Sequence, residues 1–348
     1  MTEQSAVISA RPRLKVDGEL HAGLGDAVQA ALIRQPLAGM ANAEVRLLNW
    51  GGDANGKPDF RFQDVKLGSR IEIHLGETRD NAVFDGFITA IEERYGEGAP
   101  QIVLLAEDGL HRLARRRASR VFQDMSLDDV ARQIAQGAGL QADANISGAT
   151  ATWHQLNESD LAFLLRLLAP HDVHPRLEGG TLRARDEEAD REPVQLDPGR
   201  NAERVRLIAD LNHQPASVAV HGYNLNADAA ADGSAETLSP APEGETGAGL
   251  LGSLGWEGES VLPHPFPQTQ AEAEALAQRG FRRAAQRFLH GEIVCRGDPA
   301  LKSGREIELT GVSPRLAGRY RVVDCQHRFD NAQGYSTRLK VQRPDWSV

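Results

Sequence analysis

The sequence predicts an α+β protein that is mainly β, with two similar β modules, an α+β module between them, and a helix plus a long loop inserted before the last strands. Three observations predict this fold class. Alternating polar and apolar residues near both ends of the chain are typical of half-buried strands. Helical spacing of apolar residues is concentrated in the middle. The length of 348 residues exceeds one ordinary domain, so several modules are expected.

The first β module is predicted to span residues 1–110 and to be antiparallel. Residues 70–75 alternate polar and apolar side chains, which buries one face of a strand. A longer strand pattern covers residues 83–91, and a loop around residues 96–100 separates it from the apolar strand 102–105. The short loop between these strands favours antiparallel pairing.

The α+β module is predicted to span residues 111–195. Ser126 is the expected N-cap of one helix. Asn157 or Ser159 is the expected cap of a second helix, which Pro170 ends. Two strand patterns separated by a Gly-Gly turn then indicate a hairpin. The apolar helix faces predicted to pack on a core are formed by Leu127, Val130, Ala131 and Ile134, and by Leu161, Leu164, Leu165 and Leu168.

The second β module is predicted to span residues 196–348. Residues 224–267 are rich in Ala, Gly, Ser, Pro and Glu and show little apolar periodicity, so they are predicted to form a flexible insertion. A helix over residues 269–289 follows, with Thr269 and Glu272 as a capping box. Strand patterns flank this region at residues 204–208, 217–223, 293–296, 305–309, 320–325 and 335–341.

The two β modules share a repeated sequence pattern. Residues 304–309 repeat the pattern of residues 68–75. Gly318 precedes a strand pattern as Gly86 does in the first module. A chance likeness between two hairpins stays open on pattern alone, but the order of the matches favours a duplicated module. The two cores are therefore expected to be superimposable.

Composition and charge exclude several classes of protein. A formal net charge of −10 argues against a general nucleic-acid binder, whose affinity comes mainly from clustered Lys and Arg. No apolar run approaches the roughly 20 residues of a membrane span, and the first residues lack the apolar core of a signal peptide. We therefore expect folding in the cytoplasm, no stable membrane insertion and no specific nucleic-acid partner.

Two local features have simple interpretations. The basic cluster is either a phosphate contact or, as we favour, a helix face that docks on an acidic surface. Its members are Arg112, Arg115, Arg116, Arg117 and Arg120. Cys295 and Cys325 are far apart and lack a C-x-x-C partner, so buried reduced thiols are expected.

No motif supports enzymatic chemistry. Residues 247–252 match G-x-G-x-x-G by letters, but the predicted loop provides neither the preceding strand nor the following helix of a dinucleotide site. Residues 171–174 (His-Asp-Val-His) and nearby His154 are the densest group of possible metal ligands, without a zinc-site pattern. The acidic pairs at 92–93 and 187–188 lack the geometry of a glycosidase dyad. The sequence predicts no catalytic, cofactor-binding or metal site, and hence a protein that is not an enzyme.

The segment 153–168 resembles the signature of phage late control protein D and of the hub part of VgrG-type spikes. The resemblance extends to residues 84–89, 126–140, 271–275 and 318–337, and thus over nearly the whole chain apart from residues 224–267. The residues that carry the signature are Asn157, Glu158, Ser159, Asp160, Leu161, Phe163, Leu164, Arg166 and Leu168.

This resemblance implies a structural baseplate hub in a contractile phage tail or a related injection system. It implies a homotrimer with two β-barrel modules per subunit, which presents six equivalent surfaces to a hexameric tube protein. A separate spike protein is implied because the sequence ends at Val348, before any spike region, and other baseplate proteins are expected partners. A tail-associated peptidoglycan hydrolase is the alternative, and a secretion or extracellular injection system is a second setting for the same hub.

Overall fold

The protein is mainly β, with six α-helices in the part of the chain that the structure describes. Most of the described strands belong to one 13-stranded sheet, and the remaining strands form small sheets of two or three strands. A computed structural model describes residues 11–52, 57–76, 82–96, 98–146, 148, 150–185, 192–256 and 258–347.

The first β module forms an antiparallel meander, as its alternating pattern predicts. Its strands lie in the order β3-β4-β9-β8-β7-β1-β2. Apolar residues such as Ile71, Ile73 and Leu104 are buried on one face. The elements are β1 (Arg13–Val16), β2 (Glu19–Leu20), α1 (Ala22–Ala27), β3 (Val28–Pro36), β4 (Asn42–Leu48), β5 (Gly51–Gly52), β6 (Pro58–Asp59), β7 (Arg70–His74), β8 (Phe84–Arg94) and β9 (Gln101–Glu107).

The α+β module is a separate hydrophobic cluster built on its helices. A two-stranded ribbon, β10-β12, leads into the third of these helices, and the three-stranded sheet β11-β14-β13 packs beside the second. The elements are α2 (His111–Arg115), β10 (Arg117–Met125), α3 (Leu127–Gly137), β11 (Gln141–Asn145), β12 (Ala151–Ser159), α4 (Asp160–Leu168), a 3-10 turn (Ala169–His171), β13 (Arg176–Glu178) and β14 (Thr181–Arg185).

The second β module contains the remaining elements. Its main strands lie in the order β16-β21-β24-β23-β22-β15, and the pair β15-β22 is parallel. The elements are β15 (Val194–Leu196), β16 (Ala202–Ala209), β17 (Ser217–Asn224), β18 (Ala229–Ala235), β19 (Glu245–Thr246), α5 (Gly247–Leu254), β20 (Glu259–Leu262), α6 (Gln270–Ala285), β21 (Leu289–Arg296), β22 (Glu306–Leu309), β23 (Gly318–Asp330), β24 (Gly334–Arg343) and β25 (Asp345–Trp346).

The two β modules repeat one strand order. The order β3-β4-β9-β8-β7 in the first corresponds to β16-β21-β24-β23-β22 in the second, with antiparallel pairing throughout. Bulges recur at matching places: one in β3 and in β16, and one in β8 and in β23. The turn before β7 and the turn before β22 also make the same hydrogen bond. The Gly68 N–H donates to the Ile88 carbonyl, and the Gly304 N–H donates to the Val322 carbonyl, each at 2.8 Å.

The pairing corrects one detail of the sequence comparison. Ile73 lies opposite Phe84, and Leu309 lies opposite Gly318. Gly318 therefore corresponds to Phe84, and Gly86 corresponds to Tyr320, so the predicted match of glycines was displaced by two residues. Gly86 has its own reason to lack a side chain, since a Cβ there would lie 2.3 Å from the Glu107 carbonyl oxygen.

The described strands do not pair into two closed barrels. Instead β3 pairs with β23, which joins both modules into one sheet that has β2 at one end and β16 at the other. The joint is also a core contact, because Phe329 and Tyr335 of the second module pack in the hydrophobic core of the first. The mainly β class is confirmed, and closed barrels are absent from the described pairing.

Residues 224–267 were predicted to be flexible, and this prediction is wrong for the described residues. β18 pairs with β17, β20 pairs with the other side of β17, and α6 packs on this sheet. Contact is close because the residues are small: a Cβ on Gly233 would lie 2.3 Å from the Ala273 backbone. The Ala- and Gly-rich composition indicated a flexible loop because these residues bury little apolar area. The same small residues allow a helix and a strand to approach closely.

The G-x-G-x-x-G segment is helical rather than a loop. Thr246 caps α5 by accepting a hydrogen bond from the Gly249 N–H at 3.1 Å, and the two-residue strand β19 precedes it. Gly247 is buried against Gln214, where a Cβ would lie 2.8 Å from that side chain. The first glycine therefore serves helix packing.

Candidate functional site

The signature segment is a strand that turns directly into a helix. β12 supplies Asn157 to Ser159, and α4 begins at Asp160. Ser159 ends the strand because its Oγ accepts a hydrogen bond from the Ala162 N–H at 3.1 Å, which caps the helix. Of the two caps that the sequence allowed, Ser159 is the one used.

Asp160 lies at the centre of a buried polar network. Its Oδ1 accepts hydrogen bonds from Arg120 Nη2 at 2.7 Å and from Gln155 Nε2 at 2.8 Å. Arg120 Nε also donates to Gln155 Oε1 at 2.8 Å, which closes a triangle of three side chains. Gln155 is 0% exposed and Asp160 1%. The network satisfies these polar groups and locks β10, β12 and α4 together.

Asn157 shapes the strand just before the helix. Its backbone is left-handed, with φ 49°, a conformation that Asn tolerates better than most residues. Its carbonyl accepts hydrogen bonds from Arg117 Nε at 3.1 Å and Nη2 at 2.8 Å, and its N–H donates to Ser119 Oγ at 3.0 Å. The signature asparagine is thus tied to the neighbouring strand through its backbone.

Glu158 and Arg166 form a bidentate ion pair across the strand–helix junction. Arg166 donates from Nη2 at 2.7 Å and from Nε at 3.0 Å. The hydrogen bond from Arg166 holds the pKa of the Glu158 carboxyl below its usual value. The guanidinium also lies over the Phe163 ring, 5.3 Å from its centroid.

The apolar signature residues form the core of the α+β module. Phe163 stacks on Phe122 with ring centroids 5.4 Å apart. Leu164 and Leu168 are both 0% exposed, as their helical spacing predicts, whereas Leu165 only packs at the edge of the cluster. The signature therefore contains one buried apolar face and one polar network, and the described contacts are structural.

The arginine cluster does not form one helix face, which corrects the sequence interpretation. Arg112 and Arg115 lie in the short α2, while Arg117 and Arg120 lie in β10. Besides the contacts of Arg117 and Arg120 above, Arg116 Nη1 donates to the Gly137 carbonyl at 3.2 Å. Three of the five arginines thus hold the module together. The sequence could not reveal this, because their acceptors lie 21 to 40 residues away.

The possible metal ligands at residues 171–174 belong to a contact between modules. Asp172 accepts from His174 Nε2 at 3.4 Å and lies 3.6 Å from Arg282 and 3.7 Å from Arg321. Burial alone would raise the pKa of the Asp172 carboxyl, but the hydrogen bond with His174 and the arginine charges hold it below its usual value. Asp172 thus joins the α+β module to α6 and β23.

Sequence reasoning missed a second buried polar group at the joint between the β modules. His327 on β23 is 0% exposed, and its Nδ1 lies 2.8 Å from the Tyr335 hydroxyl. Burial lowers the pKa of His327 to about 4. The sequence did contain a signal for this site, because His327 is a polar residue at a position that the alternation of β23 turns toward the core.

The remaining candidates show no converging chemistry. Within the ranges that the structure describes, no group of three or more His, Cys, Asp or Glu side chains is placed to hold a metal ion. Cys295 and Cys325 are both buried and free, and burial raises the pKa of the Cys295 thiol to about 12. Glu92 and Glu93 are exposed neighbours on β8, and the pair at 187–188 lies outside the described residues. No described helix combines the length and apolar character needed to cross a membrane.

The geometry above agrees with one known family. The profile of the phage tail baseplate hub (GPD) family matches residues 42–333, which include the signature, the α+β module and most of both β modules, from β4 to β23. The chain belongs to this family. The resemblance to late control protein D and VgrG-type hubs is thereby confirmed, and the hub is a structural component of a phage-tail-like particle.

Solved structures share the hub's fold at low sequence identity. The 43 kDa tail protein of prophage MuSo2 from Shewanella oneidensis superposes with a TM-score of 0.72 at 15% identity, over 96% of this chain and 98% of that chain. A tail protein from Neisseria meningitidis MC58 gives 0.67 at 14%, over 96% of each chain. A type VI secretion component from Escherichia coli gives 0.59 at 12%, over 94% of this chain and 76% of that chain. No curated protein sequence matches the hub.

Proposed function

We propose that the hub is a homotrimer that joins a hexameric tail tube to a trimeric central spike. The observation that carries this proposal is the repeated strand order of the two β modules, joined edge to edge by β3 and β23. Each chain then supplies two tube-like units, and three chains supply the six that a hexameric tube requires. The mismatch between threefold spike and sixfold tube is resolved inside each subunit.

In this proposal each predicted module has its own structural role. Residues 1–110 and 196–348 provide the two barrel-like units of the ring, each completed by neighbouring strands rather than closed by itself. Residues 111–195 form the α+β module, whose signature network keeps it rigid and whose Asp172 ties it to the second β module. The tube protein, a separate spike protein and other baseplate proteins are the partners, and no bond is made or broken.

The setting of the hub is a contractile phage tail or a related injection system. One solved relative is described as a type VI secretion component, so both settings suit this fold. The chain is made and assembled in the cytoplasm before it joins the particle. Among the residues that the structure describes, no arrangement of side chains favours the alternative function of a peptidoglycan hydrolase.

A reconstruction of the purified particle tests the proposal. We expect three copies of the chain in one ring on the tube axis, between tube and spike. Six copies in the ring, or a position away from the axis, would contradict the adaptor function. A peptidoglycan-release assay on the purified chain tests the alternative, and we expect no release above the level of a heat-denatured sample.

A further inference from the structure

Among the strands that the structure describes, two edges lack the partners that their counterparts have inside the chain. Among the described strands, β16 pairs only with β21, so its other side is open; we call this the β16 edge. β8 pairs with β7 only as far as Phe87, so residues 90–93 have no described strand on that side; we call the end of β8 from residue 90 the β8 edge. Open strand edges present unpaired N–H and C=O groups that can pair with another chain.

The repeat identifies what should cover these edges. β16 corresponds to β3, and the β8 edge corresponds to the part of β23 that follows its bulge. β3 and that part of β23 pair with each other inside the chain, from Asp324 opposite Pro36 to Asp330 opposite Ala30. The two open edges are therefore the two halves of the same joint, each without its partner.

We propose that the β16 edge of one copy pairs antiparallel with the β8 edge of a second copy and reproduces the β3–β23 joint between subunits. Transfer of the internal pairing fixes the alignment: Glu92 lies opposite Ile208, and Glu93 lies opposite Leu207. The proposal shares with the proposed function the requirement that the chain assembles with itself, and adds which edges meet.

Burial differs between the internal joint and the open edges as this pairing requires. Phe329, which faces the core at the internal joint, is 5% exposed, whereas Tyr95 at the corresponding position is 58% exposed. Ile33 is fully buried, whereas its counterpart Leu207 is only half-buried. Both open edges thus carry residues that are accessible in one copy and would be covered in the pair.

Two further features suit a second copy as the occupant. An exposed aromatic group continues from Tyr95, because Phe60 contacts Tyr95 at 6.1 Å between ring centroids and Trp50 contacts Phe60 at 5.3 Å. By the same correspondence this group would meet the core of the second module in the neighbouring copy, as Phe329 meets the first core. The edges also differ in net charge, because β8 carries Glu92, Glu93 and Arg94 whereas β16 carries Glu203, Arg204 and Arg206, although Arg94 and Arg206 form a like-charged pair in this alignment.

Within one copy, the described β16 and β8 do not pair with each other. Six strands separate β16 from β8 in the sheet order, namely β21, β24, β23, β3, β4 and β9. A covalent bond between them is therefore expected to join different chains.

Disulfide trapping of the full chain tests the alignment. Glu92→Cys with Ile208→Cys places thiols on directly opposite residues, within bridging distance. Glu92→Cys with Arg206→Cys is the matched control, because a shift of two residues places the Cα atoms about 7–8 Å apart, too far for a disulfide. The native thiols stay out of the reaction, since Cys295 and Cys325 are buried.

We expect covalent dimers and trimers from the first variant after mild oxidation at high protein concentration, and several-fold fewer from the control. Absence of a covalent dimer from the first variant, or equal yield from both, overturns the edge pairing. If the protein is still trimeric by mass in that case, the proposed hub function survives. Covalent chains that never close into a trimer would support the edge pairing and contradict the trimeric hub.

A charge exchange gives an independent measurement without oxidation. Ile208→Glu places a carboxylate opposite Glu92, whereas Ile208→Lys places an ammonium there, with similar size and exposure. We expect the first variant to weaken self-association about 2- to 5-fold at each joint relative to the second. Adding Glu92→Lys to Ile208→Glu should restore it. Equal association of all three variants by analytical ultracentrifugation would overturn the proposal.

Discussion

Asp160 places a carboxylate in the hub where water hardly reaches it, and two side chains compensate. Arg120 supplies the charge and Gln155 a second hydrogen bond, so the carboxylate exchanges its hydration for fixed donors. Glu158, two residues earlier, makes an equally short ion pair with Arg166 at a more exposed position. Similar bonds at neighbouring residues therefore differ in what their removal costs.

We expect Asp160→Asn to lower the free energy of unfolding by about 3 kcal/mol, because it leaves Arg120 without its counter-charge in a mostly buried site. Glu158→Gln is the control and should cost less than about 1 kcal/mol, since water can replace the lost partner. Urea unfolding followed by fluorescence measures both. Equal losses would show that the buried network adds nothing beyond an exposed pair.

His327 should make stability depend on pH. Its folded pKa of about 4 lies below the unfolded value of about 6.5, so the unfolded chain binds more protons between these values. The stability that neutral His327 provides is complete above about pH 6.5 and is lost as the pH falls toward 4, by up to about 3 kcal/mol. The groups that face the ring are Cys325, Tyr335, Thr337 and, through its charge, Lys302.

The comparison of the native chain with His327→Gln isolates this effect. Asp108 acts in the opposite direction in the same range, because burial raises its pKa to about 6 and so favours folding at lower pH. Both proteins share Asp108, so the difference between their unfolding free energies from pH 4 to 6.5 reports His327. We expect the native chain to lose stability faster on acidification, and parallel curves would contradict this.

At the scale of elements, small residues decide how α6 packs. The helix lies against β17 and β18 through Ala273, Ala277 and Gly280, with Gly233 on the facing strand. Close approach allows dispersion contacts along the helix despite the low apolar content of this region. Shortening residues 224–267 is consequently expected to uncover the apolar face of α6 and to destabilise the fold, although the composition of this segment predicts that the fold tolerates its shortening.

Gly233→Ala tests this packing. Its Cβ would lie 2.3 Å from the Ala273 backbone, so the helix must move, and we expect a loss of about 1–3 kcal/mol. Gly252→Ala, in the exposed part of α5, is the control: its Cβ meets nothing within 4 Å, and alanine favours a helix by about 0.5–1 kcal/mol. Thermal unfolding should shift down for the first and slightly up for the second. A neutral Gly233→Ala would show that the contact is loose.

At the scale of the whole molecule, two joints hold three modules together. The β3–β23 pairing makes one sheet of both β modules. The Asp172 cluster, with a hydrogen bond from Arg283 to the Ala169 carbonyl at 3.1 Å, fastens the α+β module to α6. The first joint is a continuous sheet with a shared core, whereas the second depends on a few charges.

Asp172→Asn should loosen the second joint while leaving the first intact. Asn tolerates the left-handed backbone at this position, with φ 56°, but lacks the charge that attracts Arg282 and Arg321. Hydrogen exchange should increase around residues 169–174 and in α6, and stay unchanged in β3. Because the folded pKa of Asp172 is below its usual value of about 3.9, the native chain should begin to lose this joint only as the pH falls below about 4, and should show the full loosening below the folded pKa. Unchanged exchange around residues 169–174 would assign the joint to other contacts.

The sequence by itself determined which segments are strands and helices where the pattern was strong, as in β7, α3, α4 and α6, because local periodicity decides which face is apolar. It also contained the signature and the sequence pattern that the two β modules repeat. Only the tertiary structure decided that Arg120 meets Asp160, that Asp172 bridges modules, that residues 224–267 pack on α6, and that β3 pairs with β23. These contacts join residues from 18 to about 300 positions apart, and no local pattern specifies which distant edge or charge a residue will meet.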